Sequence, residues 1–191
     1  MSRAAPSRTK TARARRTFCV VGSRFNTKYI DALVNHVSEK LRALAPDAII
    51  SVYRVPGAFE IPVVVQELAD HRKVDAIVAC GVILKGETDH AQNLSRTVTH
   101  ALQQIAHEHA VPVINAVLSF DNEEQARARC VEDKINRGTE AARAAVEISN
   151  VMSEIRRSGG AMALQPPISR SQKRRSTKRH VRHQRTSKSN G

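Results

Sequence analysis

The sequence has few aromatic residues, no long apolar run and no apolar segment behind its basic N-terminus. Only 3% of the 191 residues are aromatic, so the hydrophobic core must consist mainly of Val, Ile, Leu and Ala. No apolar run approaches the ~18 residues that a membrane-spanning helix needs. A secretory signal needs an apolar region after its first positive charges, and none follows here. We therefore expect neither a membrane span nor a secretory signal.

Cysteine is also scarce. Cys19, Cys80 and Cys130 form no C-x-x-C pair and are too few for a disulfide scaffold or a zinc cluster. Cys19 and Cys80 lie inside apolar segments that are typical of strands. We expect three reduced thiols, which indicates a reducing compartment, the cytoplasm. No H-E-x-x-H motif is present, and the residues indicate no metal site.

Positive charge is concentrated at the two ends of the chain. Residues 1–16 contain six basic residues and residues 160–191 contain nine, with no acidic residue in either segment. Residues 17–159 retain 16 basic and 18 acidic residues, a net charge of −2, although the whole chain carries +13. Both ends lack apolar periodicity, which predicts disordered basic tails at 1–16 and 159–191 around one domain at 17–158.

The nearly neutral body disfavours a basic nucleic-acid-binding fold, because that class carries its positive charge on the folded domain. The Arg-rich, acid-free segment 1–16 is also compatible with a targeting role, and the sequence leaves this alternative open.

Strand and helix signals alternate through the body. Apolar segments rich in β-branched residues predict strands at Thr17–Gly22, Ile49–Val55, Ala76–Leu84 and Val113–Leu118. The segments between and after them predict helices at about 28–44, 61–71, 90–108, 122–130 and 138–157. The alternation predicts an α/β fold with a parallel sheet and helices on both faces, because parallel neighbours need crossover connections.

Ligands of such folds bind at the carboxyl ends of the strands, where the sequence places several unusual residues. Phe25 lies in a polar loop, either folded back onto the core or exposed so that a flat heterocycle can stack on it. Glu60 follows the Pro56-Gly57 turn. It is either a first-turn acid favoured by the helix dipole or a hydrogen-bond acceptor for a polyol.

The segment Lys85–His90 has the character of an anion site. Gly86 allows backbone to approach a ligand, and Thr88 or Asp89 is expected to cap the next helix, whose free N–H groups attract an anion. His90 is either a surface residue or a group for proton transfer. The sequence contains no Walker loop, no G-x-G-x-x-G and no nucleophile elbow, which disfavours nucleotide and serine-hydrolase chemistry.

Together these strings resemble one family, the 6,7-dimethyl-8-ribityllumazine synthases of riboflavin biosynthesis. The match follows the family's order and spacing over about 17–155. Its motifs are RFN at 24–26, VPGAFEIP at 55–62, CGVILKGETDH at 80–90, VPVINAVLS at 111–119, EQARAR at 124–129 and NRG at 136–138.

The resemblance implies a flavodoxin-like, three-layer α/β/α sandwich around a four-stranded parallel sheet. It implies homo-oligomers, either pentamers or sixty-subunit icosahedral shells, with active sites between adjacent subunits of a pentamer. The implied transferase condenses 5-amino-6-(D-ribitylamino)uracil with 3,4-dihydroxy-2-butanone 4-phosphate through a Schiff base, phosphate elimination and ring closure. It uses no metal or organic cofactor, and riboflavin synthase is a candidate partner.

The resemblance also assigns roles at matched positions. Phe25 should stack on the pyrimidine, and Glu60 should accept hydrogen bonds from the ribityl hydroxyls. His90 should transfer protons, and Arg129 should bind phosphate from the neighbouring subunit, since its paired donors suit that group. The remaining implied substrate-binding residues are Asn26, Ala58, Phe59, Val82, Ile83, Leu84, Glu87, Thr88 and Asn115.

The sequence departs from the family pattern at three positions. Asn115 stands where many members have a phenylalanine that contacts the pyrimidine, and Asp133 stands where many have a lysine. Glu87 places an acid beside the expected phosphate site, where small residues are common. These departures leave an alternative open, in which a shell protein of this fold retains weak catalysis and binds polyanions through its tails.

Overall fold

Apolar runs form strands and amphipathic stretches form helices in the computed structural model, which describes residues 15–71 and 73–158. The chain divides into two units, 1–154 and 155–191, and the strands of the described part belong to the first. Apart from Arg15 and Arg16, the predicted basic tails lie outside the described residues. The elements are β1 (Thr17–Ser23), α1 (Thr27–Leu44), β2 (Ile49–Val55), a 3₁₀ turn (Ala58–Glu60), α2 (Ile61–His71), β3 (Ala76–Leu84), α3 (His90–His109), β4 (Val113–Phe120), α4 (Glu123–Cys130) and α5 (Arg137–Arg157).

The strands form one parallel four-stranded sheet in the order β2-β1-β3-β4. β1 and β3 are central, and β2 and β4 are the two edges. Each pair of successive strands is joined through at least one helix, as parallel pairing requires. The predicted α/β class and four-stranded parallel sheet are therefore confirmed.

The last strand is longer than the sequence pattern predicted. β4 continues past Leu118 because Ser119 and Phe120 pair with Ile83 and Leu84 at the end of the nine-residue β3. The pairing continues one residue further, where the Lys85 N–H donates to the Phe120 carbonyl at 2.9 Å. Polar Ser119 interrupted the apolar run, so the pattern alone ended the strand early.

The two faces of the sheet bury separate hydrophobic layers. Phe18 and Val20 of β1 pack on the layer under α1, α4 and α5, whereas Cys19 and Val21 pack on the layer under α2 and α3. This alternation produces three layers, with helices on both faces of the sheet. The expected sandwich is confirmed, with a core built largely of aliphatic residues.

The three cysteines are buried and form no disulfide within the described residues, with two in strands and one at the end of α4. Burial raises the pKa of the Cys80 thiol to about 12 and that of Cys130 to about 11. Both therefore stay protonated at neutral pH and act as small apolar core residues. Among the described residues, no helix is long and apolar enough to cross a membrane.

The outer edge of β4 is covered in part by one of its own side chains. The carbonyls of Pro112 and Phe120 accept hydrogen bonds from Ile77 of β3 and from Lys85, which follows it. The backbone N–H and C=O groups of even-numbered residues of β4 therefore point toward β3, and those of odd-numbered residues point away from the sheet. The outward N–H of Val117 donates to Asn115 Oδ1 at 2.9 Å, and Asn115 Nδ2 donates to Thr99 Oγ1 of α3 at 3.0 Å. Asn115 thus closes part of this edge and links it to α3.

Candidate active site

The loop after β1 is fixed to two neighbouring strand ends. The Arg24 N–H donates to the Pro56 carbonyl at 3.2 Å, and Asn26 Nδ2 donates to the Val82 carbonyl at 2.8 Å. Asn26 adopts the left-handed conformation (φ 59°), which asparagine tolerates better than most residues. This turn leaves the Phe25 ring 73% exposed. Phe25 is therefore not folded back onto the core, and its ring is available for stacking.

The turn after β2 lies beside the same ring. Glu60 Oε2 accepts a hydrogen bond from the Gly57 N–H at 2.7 Å, which fixes the carboxylate over the turn. A Cβ placed on Gly57 would lie 3.0 Å from Glu60 Oε2 and 3.5 Å from Phe25 Cδ2. Glycine therefore allows the ring and the carboxylate to flank one backbone position. Within the described chain Glu60 Oε1 has no hydrogen-bond donor, so it can still accept one from a ligand.

The other residues expected on this side have unequal exposure. Phe59 is 66% exposed, whereas Ala58 is buried beneath the turn. Val82 and Ile83 are buried at the end of β3, and Leu84 is half-buried. The Val82 carbonyl already accepts a hydrogen bond from Asn26 Nδ2, and its second lone pair remains for a ligand.

The loop between β3 and α3 is exposed and weakly bonded. Glu87, Thr88, Asp89 and His90 are all exposed. Of the two predicted caps, Asp89 is the N-cap residue of α3, but its side chain makes no capping hydrogen bond, and its backbone (φ −70°, ψ 1°) lacks the extended conformation of a typical N-cap. Thr88 Oγ1 instead accepts a long hydrogen bond of 3.4 Å from the His90 N–H.

A cleft of about 510 Å³ lies between this loop, the first turns of α3 and the ends of β3 and β4. It includes Thr88, one of the residues expected to bind phosphate, but not Glu87. Lys85 and Asp89 belong to the segment predicted to bind an anion. The other lining residues had no predicted role, and they are Ala91, Gln92, Ser95, Arg96, Ser119, Phe120 and Asp121.

One sequence signal could have identified part of this lining. Asp89, Gln92 and Arg96 follow the i, i+3, i+7 spacing of one helix face, so the first turns of α3 present a polar stripe. The contribution of Ser119 and Asp121 depends on β4 extending to Phe120, which the apolar pattern did not predict.

Apart from Thr88, the expected site residues, His90 included, are not part of the lining of this cleft. Asn115 lies on the outer edge of β4 with both ends of its amide bonded within the chain. Arg129 is half-exposed on α4 and makes no ion pair within the described residues, whereas Arg127 on the same helix pairs with Glu132 at 3.4 Å. Among residues 15–71 and 73–158, no cluster of His, Cys, Asp and Glu could hold a metal ion.

Comparisons with known proteins identify the family of this chain. The family model of 6,7-dimethyl-8-ribityllumazine synthase matches residues 15–153. The chain belongs to this family. A lumazine synthase of Methylibium petroleiphilum is 39% identical over 137 residues, which cover 71% of this chain and 83% of that protein.

Two further relatives have the same name and similar coverage. A lumazine synthase of Halorhodospira halophila is 35% identical over 139 residues, which cover 72% of this chain and 89% of its own length. A third, from a Polaromonas species, is 36% identical over 137 residues, 71% of this chain and 86% of that protein. The lumazine synthase match includes every candidate site residue, and it excludes most of both basic tails.

Proposed function

We propose that this chain is a lumazine synthase, a transferase of riboflavin biosynthesis. It condenses 5-amino-6-(D-ribitylamino)uracil with 3,4-dihydroxy-2-butanone 4-phosphate. The observation that carries the proposal is the family match over residues 15–153, which contains the strand ends where Phe25, Glu60 and His90 lie. The alternative of a shell protein with weak catalysis has no comparable support.

The pyrimidine substrate binds at the ends of β1 and β2. Phe25 stacks on its ring, because an exposed aromatic face offers a flat heterocycle dispersion and apolar contact. Glu60, held by the Gly57 N–H, accepts hydrogen bonds from the ribityl hydroxyls through its other oxygen. Asn26, Ala58, Phe59 and the β3 end (82–84) complete this side of the site.

The phosphorylated substrate binds between the 85–90 loop and Arg129 of a second copy. The amine of the pyrimidine adds to the ketone and water leaves, which gives the Schiff base. Phosphate is then eliminated, and closure of the ring releases a second water. His90 moves protons in these steps, because its imidazole, exposed at the start of α3, can both accept and donate a proton. Glu87 contributes its backbone and Thr88 its hydroxyl to the phosphate.

The proposal includes a second copy, because the family resemblance assigns Arg129 to a neighbouring subunit and Arg129 is not part of the cleft beside Thr88 in its own chain. Arg129 is half-exposed and unpaired within the described residues, as expected for a residue that serves a neighbouring subunit. A homo-oligomer in which each subunit completes the next one's site explains this arrangement. Its closed forms are a pentamer and a sixty-subunit shell.

The direct test is an assay with both substrates, followed by the absorbance of the lumazine product. We expect turnover that saturates with each substrate, above the slow reaction of the two compounds alone. Product formation at the uncatalysed rate, from protein shown by circular dichroism to be folded, would contradict the proposal. Light-scattering mass distinguishes a pentamer from a shell, which differ twelvefold.

We propose a separate role for the basic ends of the chain, because most of their charge lies outside the family match. Repeated on each subunit of an oligomer, nine Lys and Arg residues per segment 160–191 form a multivalent surface for polyanions such as RNA. Deletion of 160–191 should leave turnover unchanged and remove RNA that copurifies at low salt. Equal RNA content in both proteins would leave the segment as a solubilising appendage.

A protein partner and a cellular compartment are two further parts of the proposal. Riboflavin synthase consumes the lumazine product, so it is the proposed protein partner, and co-elution of the two enzymes on gel filtration is the test. The buried reduced thiols favour the cytoplasm as the compartment, which fractionation of the source cells would check.

A further inference from the structure

The loop expected to bind phosphate carries charge that opposes an anion. Glu87 and Asp89 place two carboxylates within it, and Asp121 adds a third across the cleft. A phosphate dianion among three carboxylates is repelled unless a cation offsets them. Lys85 is the sole Lys or Arg in the segment 85–90, so it has the position to do so.

Lys85 has a fixed backbone and a side chain that is free to change partner. Its N–H donates to the Phe120 carbonyl at 2.9 Å, which anchors it to the end of the sheet. Its ammonium lies 3.8 Å from Asp121 Oδ1, and the two side chains are 70% and 68% exposed. Because exposed ion pairs are weak and screened, the ammonium can leave Asp121 for a more highly charged anion at little cost.

The other cation in the cleft is less well placed. Arg96 lies six residues after His90, so its backbone is about 9 Å further along the axis of α3 at a rise of 1.5 Å per residue. Lys85 is the first residue of the loop and lines the cleft together with Thr88. We infer that Lys85 binds the phosphate group of the butanone substrate from this chain's own side of the site. This inference rests on the proposed function and adds a cation to the one expected from the neighbouring subunit.

The test compares Lys85→Gln, which removes the charge and keeps most of the stem, with Lys85→Arg, which keeps the charge. Lys85→Gln should raise the KM for the butanone phosphate about tenfold, which is near the lower end of the effect expected when a hydrogen bond to a charged group is lost. The KM for the pyrimidine should change less than twofold, and Lys85→Arg should restore most of the loss. Inorganic phosphate, as probe, should bind Lys85→Gln more weakly by calorimetry.

Lys73→Gln is the matched control, because it removes the same charge at the amino end of β3 and should leave all these values unchanged. An unchanged KM and phosphate affinity in Lys85→Gln would overturn the inference. So would an equal effect of Arg96→Gln, since the response would then follow the general charge of the cleft. If the parent protein makes no lumazine but Lys85→Gln still loses phosphate binding, the proposed function fails and the anion site at Lys85 stands.

Discussion

The carboxyl edge of the sheet has two halves that are built differently. At the ends of β1 and β2, backbone-anchored hydrogen bonds fix Asn26 and Glu60 and present two aromatic rings to solvent. At the ends of β3 and β4, the loop carrying Thr88 and His90 is exposed, with one long hydrogen bond at the helix start. The first half is organised by bonds within the chain. The second has few bonds of its own, and in the proposed function substrate and a second copy supply its contacts.

The difference corresponds to the demands of the two substrates. A rigid heterocycle with a polyol chain gains affinity from a preformed surface, because little ordering entropy is lost on binding. In the proposed reaction phosphate leaves and His90 exchanges protons, and both steps need groups that can change partners. Substitutions in each half therefore have separable effects on binding, turnover and stability.

The largest effect is expected in the loosely bonded half. His90→Ala should lower kcat about a hundredfold, in the usual range for loss of general acid–base catalysis, with little change in either KM. Residual turnover should remain, because positioning of the two substrates still accelerates the reaction. His100→Ala, on an exposed position of the same helix, is the control. Equal kcat in His90→Ala and the parent from pH 6 to 8 would remove His90 from the mechanism.

The next largest effect is expected for Arg129, which the proposed function assigns to the phosphate site of a neighbouring subunit. Arg129→Ala should weaken transition-state binding by about 1.5–3 kcal/mol, seen as a lower kcat/KM for the phosphorylated substrate, because a charge-assisted hydrogen bond is lost. Arg127→Ala, two residues earlier and paired with Glu132, should have a much smaller effect. If the pyrimidine kinetics suffer equally while light scattering shows an intact assembly, Arg129 has a different partner.

In the organised half, the expected effect is on stability. Asn26→Ala removes the hydrogen bond to Val82 and places alanine in the left-handed conformation, which should lower the free energy of unfolding by about 1–3 kcal/mol. Asn26→Gly removes the same bond without the strain, so it should be less destabilising in urea titrations. A glycine variant as unstable as the alanine variant would show that backbone strain contributes nothing.

The smallest effect should be confined to binding. Phe25→Ala should raise the KM for the pyrimidine about threefold to tenfold, since one stacking contact contributes about 0.5–1.5 kcal/mol. Phe25→Tyr keeps the ring and should behave like the parent. The urea midpoint should stay constant because the ring is already 73% exposed. A lower midpoint with an unchanged KM would assign Phe25 a structural role instead.

Sequence patterns predicted the strands and helices well, because buried parallel strands are nearly continuous apolar runs flanked by amphipathic helices. The end of β4 was missed, since Ser119 and Phe120 are ordered by pairing with β3, a long-range interaction that local hydropathy does not contain. The sequence also placed most candidate site residues near strand ends. It could not predict their hydrogen bonds, because the bond from Asn26 to Val82 joins positions 56 residues apart in sequence.

The amide of Asn115 also bears on how these chains meet one another before assembly. An open strand edge is a template on which an incompletely folded neighbour can add a strand and begin to aggregate. Because Asn115 already occupies the outward N–H of Val117, the β4 edge presents a shorter template to other chains emerging from ribosomes. An apolar residue at this position would lack that acceptor. With Asn115 in place, the Val117 N–H is not available for pairing with another chain.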